Sequence, residues 1–99
     1  MAARLSADGN GRWAISGELD FASVPELWAQ LVPRLDGSDW VLDLGAVSRS
    51  NSAALALLLE AQATTRQAGG RMRVEGLPDS LVQLGQVSGL ASLLGELSR

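Results

Sequence analysis

Short apolar segments alternate between strand-like and helix-like spacing along this chain, and a glycine-, proline- or aspartate-rich breaker closes each one. That alternation is the strongest constraint on the fold. Arg4–Ala7 and Trp13–Ser16 flank Asp8-Gly9-Asn10-Gly11, residues that tolerate positive φ and favour a hairpin turn. After Gly17, Ser23 stands before Val24-Pro25-Glu26, a helix-start pattern with Ser23 as the cap, and Val24, Leu27, Trp28, Leu31 and Leu35 follow at helical spacing. Asp36-Gly37-Ser38-Asp39 ends that helix. Trp40-Val41-Leu42-Asp43-Leu44 then reads as a central strand covered on both faces.

The stretch from Ser48 to Gln62 opens a second helix, which Gly69-Gly70 stops after about Ala68. Arg71-Met72-Arg73-Val74-Glu75 alternates as a strand with one buried face, and Gly76-Leu77-Pro78 breaks it. Asp79 or Ser80 caps a third helix carrying Val82, Leu84 and Val87. Beyond Ser88-Gly89 a last short element holds Leu90, Leu93, Leu94 and Leu97. The order β, β, α, β, α, β, α and a short element implies an α/β fold with a mostly parallel or mixed β-sheet and helices packed on it. At 99 residues the whole chain, 1–99, is expected to be a single domain. Burial is the default for the large rings of Trp13, Trp28 and Trp40.

Composition narrows function by subtraction. The chain has no cysteine and no histidine. Those absences remove zinc sites of the usual kind, Ser/His/Asp triads, Cys/His pairs and the commonest general base. All eight basic residues are arginine, and eleven acids leave a net charge of −3, a balance that argues against nucleic-acid binding. No phosphate-cradling glycine motif is present, and Glu18, Asp20 and Asp43 are read as turn residues and solvated charges. No catalytic residue, cofactor or metal is therefore assigned. The opening MAARLSADGNG lacks the apolar core of a secretory signal, and no apolar run approaches the ~20 residues of a membrane span. The expected location is cytoplasmic, without direct membrane insertion.

The second helix holds the candidate site. At about 100° per residue, Leu55, Leu58, Leu59 and Gln62 fall on one side and supply the face expected to lie on the sheet. Ala53, Ala56, Leu57, Glu60 and Thr64 lie roughly opposite, so that side is apolar for its first turn and a half. Two readings stay open here. Either Leu57 is covered by the chain's own carboxy-terminal element or is an isolated exposed leucine of the kind normal on any surface, or Ala53, Ala56 and Leu57 form a flat patch that a partner covers. Ser50, Asn51 and Ser52 are all good N-cap types. A hydroxyl there is also a natural phosphate carrier, because free amides and the helix dipole stabilise negative charge.

Leu42-Asp43-Leu44, Val47, Asn51-Ser52-Ala53-Ala54-Leu55-Ala56 with Leu58-Leu59, Gly69-Gly70, and Leu84 followed by Ser88-Gly89-Leu90 together resemble the signature of the STAS domain family. That family comprises sulfate-transporter carboxy-terminal domains and anti-sigma factor antagonists. The resemblance spans about Trp40 to Leu94 and implies a small mixed sheet with helices mainly on one side. Within the family, Val47-Ser48-Arg49 and the following helix start are most similar to the cytoplasmic STAS subunits of Mla phospholipid transport systems. This implies a non-catalytic adaptor on the ATPase subunit of an ABC transporter that also contains a membrane permease, peripheral to the inner membrane. The expected partner-binding residues are Ser52, Ala53, Ala56, Leu57 and Glu60, with Ser52 both capping and touching the partner. The alternative is an anti-sigma factor antagonist phosphorylated on Ser52. Asn51 stands where antagonists usually carry aspartate and Ala54 where they usually carry glycine, departures that bear on phosphorylation more than on docking.

Overall fold

The computed structural model describes residues 3–99. Four strands form one sheet in the order β1-β2-β3-β4: β1 (Arg4–Gly9), β2 (Arg12–Leu19), β3 (Trp40–Ser50) and β4 (Met72–Glu75). β1 and β2 are the antiparallel hairpin expected from the sequence; Asn10 and Gly11, both at positive φ, make its turn. β2 pairs parallel with β3, and β3 parallel with β4. The helices are α1 (Val24–Leu31, extended by a 3-10 turn over Val32–Arg34), α2 (Ser52–Gln67), α3 (Asp79–Val87) and α4 (Ala91–Leu97). The molecule is thus an α/β domain, as the alternation of breakers and apolar segments implies, and its sheet is mixed.

The helices cover one face of that sheet. Trp40, Leu42 and Leu44 of β3, Met72 and Val74 of β4, and Ile15 and Leu19 of β2 are buried with Leu27, Leu31, Leu58, Leu81, Leu94 and Leu97 from the helices. Val41 and Asp43, which point the other way, are only half-buried. β3 is therefore central but not covered on both faces, contrary to the expectation from its apolar run. Charges occupy the open face: Glu75 accepts from Arg12 at 2.6 Å and from Arg73 at 3.2 Å, tying β2 to β4 across β3. Trp40 is the most deeply buried tryptophan, and its Nε1 donates to Thr65 Oγ1 at 2.9 Å. Trp13 and Trp28 are half-buried, and the Arg34 guanidinium lies 4.9 Å from the Trp13 ring centroid.

Two boundaries differ from the sequence reading. β3 runs on to Ser50, because Ala46, Val47, Arg49 and Ser50 continue to pair with β2 through register shifts. Ser48 is therefore strand rather than helix. α1 is not capped by the Ser23 side chain. Instead Ser23 N–H donates to Asp20 Oδ1 at 2.9 Å and Asp20 N–H donates to Ser23 Oγ at 3.0 Å, a reciprocal capping box set one turn ahead of the helix. Gly76, at φ +67°, closes β4 where an added Cβ would lie 2.7 Å from the Gly45 backbone nitrogen, so this crossing admits only glycine.

Candidate functional site

β2 and β3 run parallel and end together, at the start of α2. Asn51 N–H donates to Leu19 O at 3.2 Å, anchoring the turn from β3 into the helix to the end of β2. Asn51, in an extended conformation, is the N-cap: its Oδ1 accepts the Ala53 N–H at 2.9 Å. Ser52 is the first helical residue and is exposed. The expected capping role of Ser52 thus passes to Asn51, and its hydroxyl is left at the surface.

The exposed stripe of α2 differs from the predicted one. Ala54, Leu58, Ala61 and Thr65, spaced four, three and four residues apart, are at most 1% exposed and mark the centre of the buried face. Small side chains at 54 and 61 allow the helix to lie close to the sheet. Contacts with both α1 and α3 then widen the buried arc. Leu57 (2% exposed) and Ala53 (4%) fall inside that arc, so neither is a surface contact residue; both are corrections to the predicted patch. Leu57 is enclosed by the chain's own core. Leu59, expected on the sheet face, is half-exposed at the arc's edge. Of the five predicted partner-binding residues, the structure brings Ser52, Ala56 and Glu60 together on the outer stripe.

Three features around this helix start were not recognised in the sequence. A cavity of about 320 Å³ lies beside Ser52, lined by Glu18, Leu19, Asp20, Arg49, Ser50 and Asn51. Its rim is ordered by Ser50 Oγ and Ser80 Oγ, 3.1 Å apart, which join the end of β3 to the start of α3. Phe21, 72% exposed, follows Asp20 on a turn held by the capping box and by Ala22 N–H donating to Asp20 Oδ1 at 3.0 Å. The backbone N–H of Ser23, then that of Ala22 and the Ser23 hydroxyl, hold the Asp20 carboxyl below the usual carboxylate range. The signal for this turn was the Asp-x-x-Ser spacing at 20–23, a capping-box pattern.

Among the described residues, no group of three or more His, Cys, Asp or Glu side chains could hold a metal ion, and no helix is long and apolar enough to cross a membrane. The start of α2 carries an exposed hydroxyl and a small-residue stripe, and the turn bearing exposed Phe21 follows Asp20 of the adjoining cavity. That geometry defines a class of small α/β domain with one helix start exposed where two parallel strands end. A family model described as "Mlab, STAS domain" matches residues 3–95. The chain belongs to the STAS domain family. It is 31% identical over 81 residues to an anti-sigma-B factor antagonist of Bacillus subtilis (strain 168), covering 81% of this chain and 74% of that protein. The solved structure of the anti-sigma factor antagonist SpoIIAA in its unphosphorylated form matches with a TM-score of 0.71 at 19% identity, over 91% of this chain and 83% of that one, showing the shared fold.

Proposed function

We propose that this chain is a non-catalytic STAS adaptor that binds the cytoplasmic ATPase subunit of an ABC-type phospholipid transport complex through the outer stripe of α2. The observation that carries the reading is the placement of Ser52 and Ala56: Asn51 does the capping, so the Ser52 hydroxyl is free, and Ala56 one turn on lets another surface approach closely. Glu60 supplies a charge at the far end of the stripe. The family model's description supports the transport setting, in which the chain sits peripherally on the inner-membrane complex and supports the ATPase's assembly or activity.

Copurification tests the reading. The wild-type chain should retain the ATPase of a phospholipid ABC transporter from its own cell, and Ala56→Arg, a change at an exposed position, should abolish retention without lowering the melting temperature. Undiminished retention by Ala56→Arg overturns the docking surface.

A second reading is favoured by the similarity to the anti-sigma-B factor antagonist: binding to an anti-sigma factor kinase and inactivation by phosphorylation of Ser52. Ser52 is exposed at the first position of α2, where the helix dipole favours the negative charge of a phosphate. Incubation with a cognate kinase followed by intact-mass measurement separates the two, since this reading requires one added phosphate that disappears in Ser52→Ala.

A further inference from the structure

We infer that the end of the domain opposite Ser52 is a binding site for a phosphate-bearing anion, centred on Arg71 and Arg73. Strands β2, β3 and β4 start at this end, and α2, about 24 Å long at 1.5 Å per residue, separates it from the Ser52 helix start. Two neighbouring cavities of about 460 and 410 Å³ open here and share Arg71 and Arg99. Arg73 lines the first and Arg66 the second. Half of the chain's arginines thus meet at one end of a molecule whose net charge is −3, against two lining acids, Asp39 and Glu96.

Those acids leave arginine capacity unused. Asp39 Oδ1 accepts the backbone N–H of Arg71 at 2.9 Å. Among the described residues Glu96 pairs only with Arg66, at 3.5 Å, with both side chains more than half exposed. Arg73 shares Glu75 with Arg12. Among the described residues, neither the Arg71 nor the Arg99 side chain forms an ion pair. Main-chain hydrogen bonds fix the cavity floor: Trp40 N–H to Arg71 O at 2.9 Å and Val41 N–H to Gly11 O at 2.9 Å. Charges on an edge strand also discourage edge-to-edge pairing, and Arg71 just before edge strand β4 and Arg73 within it flank buried Met72. That role needs no convergence with Arg66 and Arg99 from other elements around a rigid floor. Guanidinium forks match phosphate oxygens bidentately, and a preorganised floor reduces the ordering cost of binding. Anion binding at this end is independent of what docks at Ser52.

The shared chemistry is a phosphate group, free or as the headgroup of an anionic phospholipid, and two assays distinguish the sources. Inorganic phosphate titrated into the ¹⁵N-labelled chain should shift the Gly11, Asp39 and Arg71 amides saturably. Sedimentation with phosphatidylglycerol vesicles, compared with phosphatidylcholine vesicles, tests the headgroup. Arg71→Ala/Arg73→Ala, both exposed positions, should keep the fold and lose about tenfold or more in whichever binding occurs, the loss expected for one charge-assisted contact. Arg49→Ala, at the opposite end, should bind as wild type. Shifts with phosphate assign a free anion, and sedimentation with phosphatidylglycerol alone assigns a lipid headgroup. Absence of both, or binding that survives the double variant, overturns the site.

Discussion

Asn51 Oδ1 accepts the Ala53 amide at 2.9 Å, so the residue before Ser52, not Ser52 itself, closes the amino end of α2. The two hydroxyl-bearing or amide-bearing neighbours are therefore separable by substitution. Asn51→Ala should cost about 1 kcal/mol of folding stability, the usual value of a lost N-cap. Ser52→Ala, at an exposed first helical position, should change stability by less than about 0.5 kcal/mol. Urea denaturation of both variants measures the difference. Equal losses would return the capping role to Ser52.

Leu57 and Ala56 are adjacent in sequence and opposite in environment, the first 2% exposed and the second at the surface. Leu57→Ala should lose about 2–5 kcal/mol, because it removes buried methyl groups and leaves a cavity in the core. Ala56→Leu should stay within about 0.5 kcal/mol of wild type. Thermal melts of the pair check the assignment of the outer stripe. A mild Leu57→Ala effect would restore the patch read from the sequence.

The error at Leu57 shows what the sequence conceals. Strand and helix order was legible because turn residues such as Asn10-Gly11 and Gly69-Gly70 punctuate it, and the family could be read from the segment between Leu42 and Leu90. The buried face of α2 was not. Counting leucines weighted the arc toward Leu55 and Leu59, whereas the true centre runs through Ala54 and Ala61, whose value is their smallness against the sheet. The open face of β3 was hidden for a related reason. Val41 looks like core in a linear run, and only the pairing of Glu75 with Arg12 across the sheet and with Arg73 along β4 shows that its side faces charge and water. At the site, Ser52 was found by position, but Phe21 and Ser80 come from segments far from it in sequence.

Thr65 links the one deeply buried indole to the helix. Its Oγ1 accepts from Trp40 Nε1 at 2.9 Å and donates to Ala61 O at 2.7 Å. Thr65→Val keeps the shape but strands the indole N–H in the core, at a cost of about 1–3 kcal/mol. Thr65→Val/Trp40→Phe removes donor and acceptor together, so the two changes should be markedly non-additive in a double-mutant cycle. Simple additivity would deny the bond an energetic role.

Acid sensitivity should reside in a few identifiable carboxylates. Asp20 is held below the ordinary carboxylate range by the Ser23 and Ala22 backbone N–H groups, and Glu75 by its hydrogen bond from Arg12. A carboxyl with a depressed folded-state pKa binds fewer protons in the native than in the unfolded chain through the acid range. Its stabilisation is therefore complete above the ordinary unfolded value, near pH 4, and is lost as pH falls through the lower folded value. No histidine is present to titrate near neutrality. The melting temperature should stay level from about pH 6 to 8 and fall below about pH 4. Asp20→Asn/Glu75→Gln should start lower at neutral pH and fall less steeply in acid. Melting curves recorded across that range decide the matter: parallel acid limbs for wild type and the double variant would place the acid-labile groups elsewhere.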